Sequence, residues 1–271
     1  MSKTILLTGA TDGIGLEAAL MLASAGHGLL LHGRSAEKLA ATADRITKTP
    51  GAGAVQTVQA DLSRMADVEA MATEVMAKAP QLDVLINNAG VYKTGTPLSP
   101  EGLDVRFLVN TLAPYLLTKR LLPALAPDAR VVNLSSAAQA TVDLKALAGS
   151  VRLSDGEAYA QSKLAITMWT AHWAQTLTPA QRVMVAVNPA SLLGSKMVKE
   201  AFGIAGHDLR IGADIILRAA LSDHFAQASG RYFDNDSGQF ADPHPDALDA
   251  SKNERLVAAM EALLDKLGHP V

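Results

Sequence analysis

The stretch TGATDGIG, Thr8 to Gly15, follows the apolar run TILLT at residues 4–8 and leads into a helix-like segment that begins at Ile14. Its glycines at 9, 13 and 15 allow a tight turn, a close approach of the backbone to a pyrophosphate, and close packing of helix on strand. The N-terminus of the helix would face the anion. An ordinary strand-to-helix turn is the alternative, whereas a P-loop is excluded because its Gly-Lys-Ser/Thr ending is missing.

Short apolar segments alternate with longer amphipathic segments along the chain. The strand-like segments lie at 4–8, 28–33, 54–60, 82–88, 130–136 and 182–189. The helix-like segments lie at 14–25, from Ala36 onward, and at about 64–78, 101–125 and 156–176. This alternation predicts the α/β class, with a Rossmann-type, doubly wound parallel β-sheet covered by helices on both faces.

No repeat, low-complexity tract or linker divides the 271 residues, so we expect a single domain over residues 1–271. Residues from about 190 to 208 follow the sixth strand-like segment and mix glycine with Met and Phe. Such a segment at the end of a strand suits a mobile lid over a pocket. A C-terminal helix is expected near 251–267.

Composition narrows the function classes. The formal net charge of −3 provides no basic excess, so small molecules rather than nucleic acids are the expected partners. The absence of cysteine excludes disulfides, thiolate metal sites and cysteine nucleophiles, and the seven histidines show no metal-ligand spacing. Asp12 and Glu17 interrupt the N-terminal apolar residues, so we expect neither a signal peptide nor a membrane span, and a cytoplasmic location.

The end of the second strand-like segment reads His32-Gly33-Arg34-Ser35. A carboxylate at this point would bind the ribose 2′-hydroxyl of NAD, but none is present. Arg34 could instead make charge-assisted hydrogen bonds to a 2′-phosphate, which favours NADP(H), with NAD(H) as the second choice. A solvated loop charge is the alternative for Arg34, and the negative charge of Asp12 near the phosphates opposes the NADP preference.

The sequence YAQSK, Tyr159 to Lys163, places a phenol and an ammonium four residues apart, on one face of a helix. A phenol has a reference pKa of about 10, which a nearby cation lowers, so Tyr159 could act as a general acid or base. An ordinary surface pair is the alternative. Asn110, Ser136 and NNAG at 87–90 lie at strand ends or on the helices that follow, where ligands bind in open α/β sheets.

These motifs together resemble the short-chain dehydrogenase/reductase family in its classical type, over most of the chain. The resemblance rests on TGATDGIG, Asp61-Leu62, NNAG, Asn110, NLSS at 133–136, YAQSK and the NPA stretch at 188–190. It implies an oxidoreductase that moves a hydride between a nicotinamide and a carbonyl or alcohol substrate. The implied catalytic residues are Asn110, Ser136, Tyr159 and Lys163.

The resemblance also gives each catalytic residue a role. Ser136, rather than Ser135, holds the substrate oxygen while Tyr159 gives or takes the proton. Lys163 binds the nicotinamide ribose, and Asn110 keeps its helix distorted around a water that relays protons to Lys163.

Cofactor contacts are expected along the ends of the strands. Asp61 would accept a hydrogen bond from the adenine amino group, although a simple loop carboxylate is the alternative. The residues expected to bind the cofactor are Gly9, Thr11, Asp12, Gly13, Ile14, Gly15, Arg34, Asp61, Leu62, Asn88, Ala89, Gly90, Tyr159, Lys163, Pro189 and Ser191.

Two features resemble the retinol dehydrogenase and protochlorophyllide reductase branch of the family. One is the spacing of 23 residues between positions 136 and 159, and the other is the tail GRYFDNDSGQF at 230–240. That branch acts on lipophilic aldehydes, ketones and ring systems. The sequence departs from the family pattern at Ala190, where glycine is usual, and at Gly194, where a threonine that contacts the nicotinamide is frequent. Ser191 or Ser195 could substitute for it.

The substrate and the assembly state remain open at this point. Six residues either line an apolar carbonyl pocket or pack the lid: Val91, Tyr92, Ala138, Leu192, Met197 and Phe202. Segments 101–125 and 156–176 resemble helices that form a four-helix contact, which allows a homodimer or a homotetramer. A binding protein that senses NAD(P) without turnover is the rival function. A nucleotide-sugar epimerase or dehydratase would need a larger region after the sixth strand.

Overall fold

The computed structural model describes residues 1–176 and 182–271 and contains one mainly parallel β-sheet. Its strands are β1 (Thr4–Leu7), β2 (Gly28–Gly33), β3 (Val55–Gln59), β4 (Leu82–Asn87), β5 (Leu125–Leu134), β6 (Val183–Asn188), β7 (Tyr232–Asp234) and β8 (Gln239–Ala241). The strand order is β3-β2-β1-β4-β5-β6-β7-β8. Neighbouring strands pair in parallel except β7 and β8, which form an antiparallel hairpin.

Helices connect the strands and cover both faces of the sheet. They are α1 (Gly13–Ser24), α2 (Ala36–Thr47), α3 (Met65–Lys78), α4 (Val105–Phe107), α5 (Ala113–Leu121), α6 (Leu144–Leu147), α7 (Asp155–Thr176), α8 (Lys196–Phe202), α9 (Leu209–Leu221) and α10 (Ala250–Lys266). A π-helical turn, Leu108–Leu112, joins α4 to α5. The Rossmann-type α/β fold expected from the sequence is confirmed.

Residues of β1 show how the sheet separates two hydrophobic layers. Leu6 belongs to one buried cluster, which includes side chains from α3, α5, α7 and α10, whereas Ile5 and Leu7 belong to the other, with side chains from α1 and α9. Successive side chains of a strand point to opposite faces, so a strand that is covered on both sides is apolar throughout.

Several elements differ from the sequence-based expectations. The segment 101–125 was expected to form one helix, but it divides into α4, the π-helical turn and α5, and β5 begins at Leu125 instead of 130. The sheet is not wholly parallel, because β7 and β8 add a hairpin at its edge. Each of these two strands has three residues, too few to show an alternating pattern. Helices α6, α8 and α9 were also not predicted.

The C-terminal helix α10 packs over α7 and α5. Its Leu256, Met260 and Leu264 are buried in the same cluster as the tryptophans of α7. The hydroxyl group of Tyr115, on α5, donates a 2.6 Å hydrogen bond to Glu261 Oε1. Helix α10 therefore covers faces of α5 and α7 within the same chain.

None of the helices in the described part of the chain combines the length and the apolar character needed to cross a bilayer.

Candidate active site

The glycine turn after β1 has a backbone that only glycine accommodates. Gly9 and Gly13 have φ angles of +67° and +54°, in the left-handed region. A Cβ atom on Gly15 would lie 2.2 Å from the main-chain oxygen of Gly9 and 2.5 Å from Asn88 Nδ2. Helix α1 starts at Gly13, so its free N–H groups face the edge of the sheet. This turn forms a backbone cradle that suits a pyrophosphate.

The other predicted residues of the turn have different surroundings. The exposed Asp12 side chain caps α1 by accepting a 2.7 Å hydrogen bond from the Gly13 N–H. Thr11 lies against β2, because a Cβ atom on Gly33 would come within 2.6 Å of its Cγ2. Ile14 packs against α9 in the same way, with 2.9 Å between its Cγ2 and a Cβ placed on Gly212. The side chain of Ile14 therefore serves helix packing.

Two basic residues lie at the end of β2: His32, which is buried, and Arg34, which is exposed. His32 Nδ1 accepts from the Gly9 N–H at 3.2 Å, and its Nε2 lies 3.1 Å from the main-chain oxygen of Ala60. Burial lowers the pKa of His32 to about 4, so the ring is neutral and links the glycine turn to the end of β3. Arg34 is exposed, and its guanidinium forms no ion pair with any residue in the described ranges. It is therefore available to an anionic ligand.

Asp61 and Leu62 follow β3. One carboxylate oxygen of Asp61, Oδ1, accepts hydrogen bonds from the main-chain N–H of Ser63 at 3.0 Å and from its hydroxyl at 2.7 Å. These contacts shape the loop and leave Oδ2 available. Leu62 is buried in the hydrophobic core.

The NNAG segment is tied to the glycine turn by hydrogen bonds. Asn88 Nδ2 donates to the main-chain oxygens of Thr8 at 2.8 Å and Gly9 at 3.1 Å. The main-chain N–H groups of Asn88 and Ala89 both donate to Thr8 Oγ1, each at 3.0 Å. Gly90 lies close to two predicted catalytic residues, since a Cβ atom there would be 3.4 Å from Asn110 Oδ1 and from Lys163 Nζ.

Asn110 lies within the π-helical turn, which agrees with the helix distortion that the resemblance implies. Its Oδ1 accepts from the Val91 N–H at 2.8 Å, and its Nδ2 donates to the Val91 main-chain oxygen at 3.0 Å. The same Nδ2 donates to Ser162 Oγ at 2.9 Å. Asn110 therefore connects the loop after β4 to helix α7, which carries Tyr159 and Lys163.

Lys163 is buried beneath Tyr159. Its Nζ donates a 2.7 Å hydrogen bond to the main-chain oxygen of Leu134, at the end of β5. Burial lowers the pKa of the Lys163 ammonium to about 8. A hydrogen-bond donor is thus fixed between the end of β5 and the tyrosine.

Burial raises the pKa of the Tyr159 phenol above its ordinary value, while a hydrogen bond with the Ser136 side chain acts in the opposite direction. The expected lowering of this pKa by Lys163 is therefore not produced by the protein residues alone. The reason is that removal of the phenolate from water outweighs the favourable contacts.

The two adjacent serines have different roles in the fold. The Ser135 hydroxyl is buried and donates to the main-chain oxygen of Lys163 at 3.0 Å, and it also contacts Thr167 Oγ1 at 2.7 Å. The Ser136 hydroxyl accepts a 3.1 Å hydrogen bond from the Ala138 N–H and faces Tyr159. Of the pair, Ser136 is placed to reach a ligand, whereas Ser135 joins β5 to α7.

The residues expected to line a substrate pocket are only partly brought together. The rings of Tyr92 and Tyr159 lie 4.9 Å apart between centroids, with Val91 next to Tyr92 and bound to Asn110. Ala138 and Leu192 are exposed, and Met197 is half-buried. The side chain of Phe202 lies outside the described residues. Tyr92 is therefore the pocket candidate whose side chain is shown in contact with Tyr159.

The loop after β6 has a strained backbone at the departures from the family pattern. Ala190, next to Pro189, has a φ angle of +112°, and Leu192 has a φ angle of +53°. Gly194 is enclosed, since a Cβ atom there would lie 2.7 Å from the main-chain oxygen of Ala205. The frequent threonine therefore does not fit in this conformation. Ser195 is used as the N-cap of α8, where its hydroxyl accepts from the Val198 N–H.

Asp236, in the β7–β8 turn, holds the predicted cofactor residue Ser191. Its Oδ1 accepts from the Ser191 N–H at 2.7 Å, and its Oδ2 accepts from the Ser191 hydroxyl at 2.6 Å. Asn188 Nδ2 donates to the same Oδ2 at 2.9 Å. These hydrogen bonds lower the pKa of Asp236 although burial acts against them. The Ser191 hydroxyl is thereby committed to an intramolecular partner.

Sequence reasoning missed Asp236 and also Tyr232, whose hydroxyl reaches the loop of Ser136. From sequence, the tail GRYFDNDSGQF at 230–240 indicated only a resemblance to one branch of the family. No local pattern could show that its side chains reach loops that lie 45 and 96 positions earlier in the chain.

Comparison with known proteins agrees with this geometry. A family model described as short chain dehydrogenase matches residues 3–203. The chain belongs to the short-chain dehydrogenase family. Human retinol dehydrogenase 13 is 30% identical to this short-chain dehydrogenase over 281 residues, which cover 97% of the chain and 84% of the relative. Bovine dehydrogenase/reductase SDR family member 13 is 35% identical over 250 residues, and the match spans 86% of the chain and 66% of that protein.

Solved structures also resemble this short-chain dehydrogenase. An uncharacterised protein from Mycobacterium paratuberculosis is 28% identical with a TM-score of 0.80, and the match covers 97% of this chain and 93% of the other. The landomycin C-6 ketoreductase LanV, solved with NADP and rabelomycin, is 28% identical with a TM-score of 0.68, over 86% and 94% of the two chains. The protein is accordingly an oxidoreductase of alcohol and carbonyl groups, related to the retinol dehydrogenases.

Proposed function

We propose that this short-chain dehydrogenase transfers a hydride between NADP(H) and a carbonyl or alcohol substrate, with Tyr159 as general acid in reduction and general base in oxidation. The observation that supports this most strongly is the convergence of Ser136, Tyr159, Lys163 and Asn110 at the end of β5, next to the glycine turn. A binding protein without turnover has no need for a proton donor at this position.

The residues present fit a dinucleotide. The glycine turn offers backbone N–H groups where any Cβ on Gly15 would clash, and Gly90 leaves open space beside Asn110 and Lys163. When bound, the cofactor supplies or accepts the hydride at its nicotinamide. Asn88, Ala89, Gly90 and Lys163 would hold the nicotinamide ribose, and Pro189, in the loop after β6, would contact the cofactor near its nicotinamide.

Proton transfer is assigned to the Tyr159 hydroxyl. In reduction, Ser136 donates a hydrogen bond to the substrate oxygen and Tyr159 gives that oxygen a proton. Lys163 remains mostly protonated near neutral pH, since its pKa is about 8, and its positive charge would stabilise the phenolate that forms as Tyr159 gives up its proton. Asn110 fixes the loop of Val91 and helix α7, which keeps these groups in register.

NADP(H) is preferred to NAD(H) because Arg34 is exposed and without an ion-pair partner among the described residues, at the strand end where the adenosine ribose binds in Rossmann folds. Related solved structures, including LanV, contain NADP. The substrate class we propose is an apolar carbonyl compound, because the ring of Tyr92 lies 4.9 Å from that of Tyr159 and Val91 precedes Tyr92 in the same loop. Retinol dehydrogenase 13 is among the relatives, and LanV is named as a landomycin C-6 ketoreductase.

The test is NADPH consumption, measured by nicotinamide absorbance, against aldehydes, ketones, quinones and enones. Tyr159→Phe is expected to lose about 10²- to 10⁴-fold in kcat, the range that general acid catalysis contributes, with the Kd for NADPH nearly unchanged. Tyr115→Phe, which alters a phenol bound to Glu261 on another face, is the matched control. Retained turnover in Tyr159→Phe would refute the assigned acid, and NADPH binding without any turnover would favour the sensor function.

A further inference from the structure

The main-chain oxygen of Ser136 is held by two side chains. Tyr232 Oη donates to it at 3.1 Å, and Gln139 Nε2 donates to it at 2.9 Å. Tyr232 lies in β7, beyond residues 3–203 that the family model matches, and only 6% of its surface is exposed. A residue from the C-terminal part of the chain thus contacts the loop that carries the predicted oxygen-binding serine.

Tyr232 is itself rigidly placed. It pairs with Ala186 of β6 and with Ala241 of β8, so its backbone is fixed on both sides. The side chain has two rotatable torsions and a hydroxyl at the end of a stiff ring, so a hydrogen bond from it fixes its acceptor well. Gln139 is fixed in turn, because its Oε1 accepts a 3.0 Å hydrogen bond from the His244 N–H.

Ser136 needs such support because it lies just past the end of β5, which finishes at Leu134. The Ser135 N–H still donates to the main-chain oxygen of Val187 on β6, but the carbonyl of Ser136 receives its hydrogen bonds from side chains. Rotation of that peptide group would displace the Ala138 N–H, which donates to Ser136 Oγ at 3.1 Å, and the Ser136 hydroxyl would lose the contact that orients it. A displacement of about 1 Å in a catalytic group is enough to cost up to about 10²-fold in rate.

We infer that Tyr232 is a positioning residue for Ser136: its hydroxyl fixes the Ser136 carbonyl and thereby keeps the Ser136 hydroxyl aimed at the substrate oxygen and Tyr159. This inference rests on the proposed function, in which Ser136 binds the substrate oxygen. It extends the active site to the β7–β8 hairpin and makes that hairpin part of the catalytic apparatus.

The first experiment compares Tyr232→Phe with Tyr115→Phe. Each variant removes one buried tyrosine hydroxyl, and the Tyr115 hydroxyl, on α5, is bound to Glu261 of α10. In Tyr232→Phe we expect kcat for the best carbonyl substrate of the panel to fall about fivefold to tenfold, the size expected from one hydrogen bond, while the Kd for NADPH stays constant. Tyr115→Phe should lower the Tm by about as much as Tyr232→Phe does, but its kcat should remain that of the wild type.

A double-mutant cycle separates positioning from general destabilisation. If Tyr232 acts through Ser136, adding Tyr232→Phe to Ser136→Ala should lower kcat no further. Equal kcat in Tyr232→Phe and Tyr115→Phe, or additive effects of Tyr232→Phe and Ser136→Ala, would overturn the inference. Wild-type activity in Ser136→Ala would instead overturn the role of Ser136 in the proposed function.

Hydrogen exchange provides a readout that does not depend on turnover. Mass spectrometry of the peptide that contains residues 134–140 should show faster amide exchange in Tyr232→Phe than in wild type or in Tyr115→Phe. Unchanged exchange there would count against Tyr232 as the support of this loop. If the wild type turns over no substrate of the panel, the proposed function fails, whereas the exchange experiment still decides whether Tyr232 fixes Ser136.

Discussion

The Nζ atom of Lys163 lies 5.7 Å from the centre of the Tyr159 ring, and both side chains come from one face of α7. The Lys163 ammonium is 4% exposed and has the main-chain oxygen of Leu134 as its hydrogen-bond partner. A cation that is kept out of water in this way reduces the stability of the folded protein. In the proposed function, the same cation stabilises negative charge on the tyrosine and binds a ribose hydroxyl.

This cost predicts a pH-dependent stability. The pKa of Lys163 is about 8 in the fold, against 10.5 for an ordinary lysine, so the unfolded chain binds more protons between these values. Stability contributed by this site is therefore present above about pH 10.5 and is lost as the pH falls through 8. Relative to Lys163→Met, the unfolding free energy of the wild type should rise by about 3 kcal/mol from pH 7 to pH 10.5.

Urea denaturation of both proteins without added nucleotide at several pH values measures this difference. The comparison with Lys163→Met cancels the other titrating groups, because the two proteins share them. If the difference in unfolding free energy between the two proteins does not change over this pH range, burial does not destabilise the charged form of Lys163.

Arg34 is predicted to select the cofactor. Arg34→Ala should weaken NADPH binding about tenfold, since a charge-assisted hydrogen bond to the 2′-phosphate is lost, and should leave NADH binding unchanged. Binding is measured by nucleotide fluorescence at fixed ionic strength. Arg45→Ala, which changes another exposed arginine nearby on α2, is the control for net charge. Equal losses in Arg34→Ala for both nucleotides, or none, would contradict the assignment.

Ala190 is predicted to store strain in the loop after β6. Its φ angle of +112° disfavours any side chain, and such a conformation costs about 1–3 kcal/mol. Ala190→Gly should therefore stabilise the fold by about 1 kcal/mol, after the added freedom of glycine in the unfolded chain is subtracted. Ala205→Gly, at an exposed residue of the same segment without a positive φ, should not stabilise. Denaturant unfolding of the wild type, Ala190→Gly and Ala205→Gly measures these stabilities. An Ala190→Gly variant that is less stable than the wild type would contradict the predicted strain.

Helix α10 is predicted to prevent dimerisation through α5 and α7. The four-helix contact suggested by resemblance needs free faces on these helices, but Glu261 of α10 binds both Tyr115 and Lys119 of α5, and Leu256 and Met260 are buried with the residues of α7. We expect light scattering to give the mass of one chain, 28.3 kDa. If a dimer forms and substitutions on surfaces other than α5 and α7 do not disrupt it, this expectation is wrong. The homodimer or homotetramer that the family resemblance suggests would then be supported.

Much of the fold followed from local pattern. The alternation of apolar and amphipathic segments identified the first six strands and the helices α1, α2, α3 and α7, because a buried parallel strand is apolar throughout and a covering helix repeats every 3.6 residues. The π-helical turn at Asn110 could not be derived this way, since residues 108–112, LVNTL, contain neither the proline nor the glycine that marks a helix irregularity in sequence. The resemblance implied the distortion, and the Val91 contact shows how it is held.

Local motifs predicted where the candidate active site lies. The glycines of TGATDGIG, the spacing of Tyr159 and Lys163, Ser136 after a strand, and Asn110 in a helix segment are each visible within a few residues of sequence. Only the folded chain shows which side chains hold these groups in place: Ser135 joins β5 to α7, Asp236 takes the hydroxyl of Ser191, and Tyr232 reaches Ser136. Such contacts join residues far apart in the chain, and their geometry exists only after the sheet has aligned the strands that carry them.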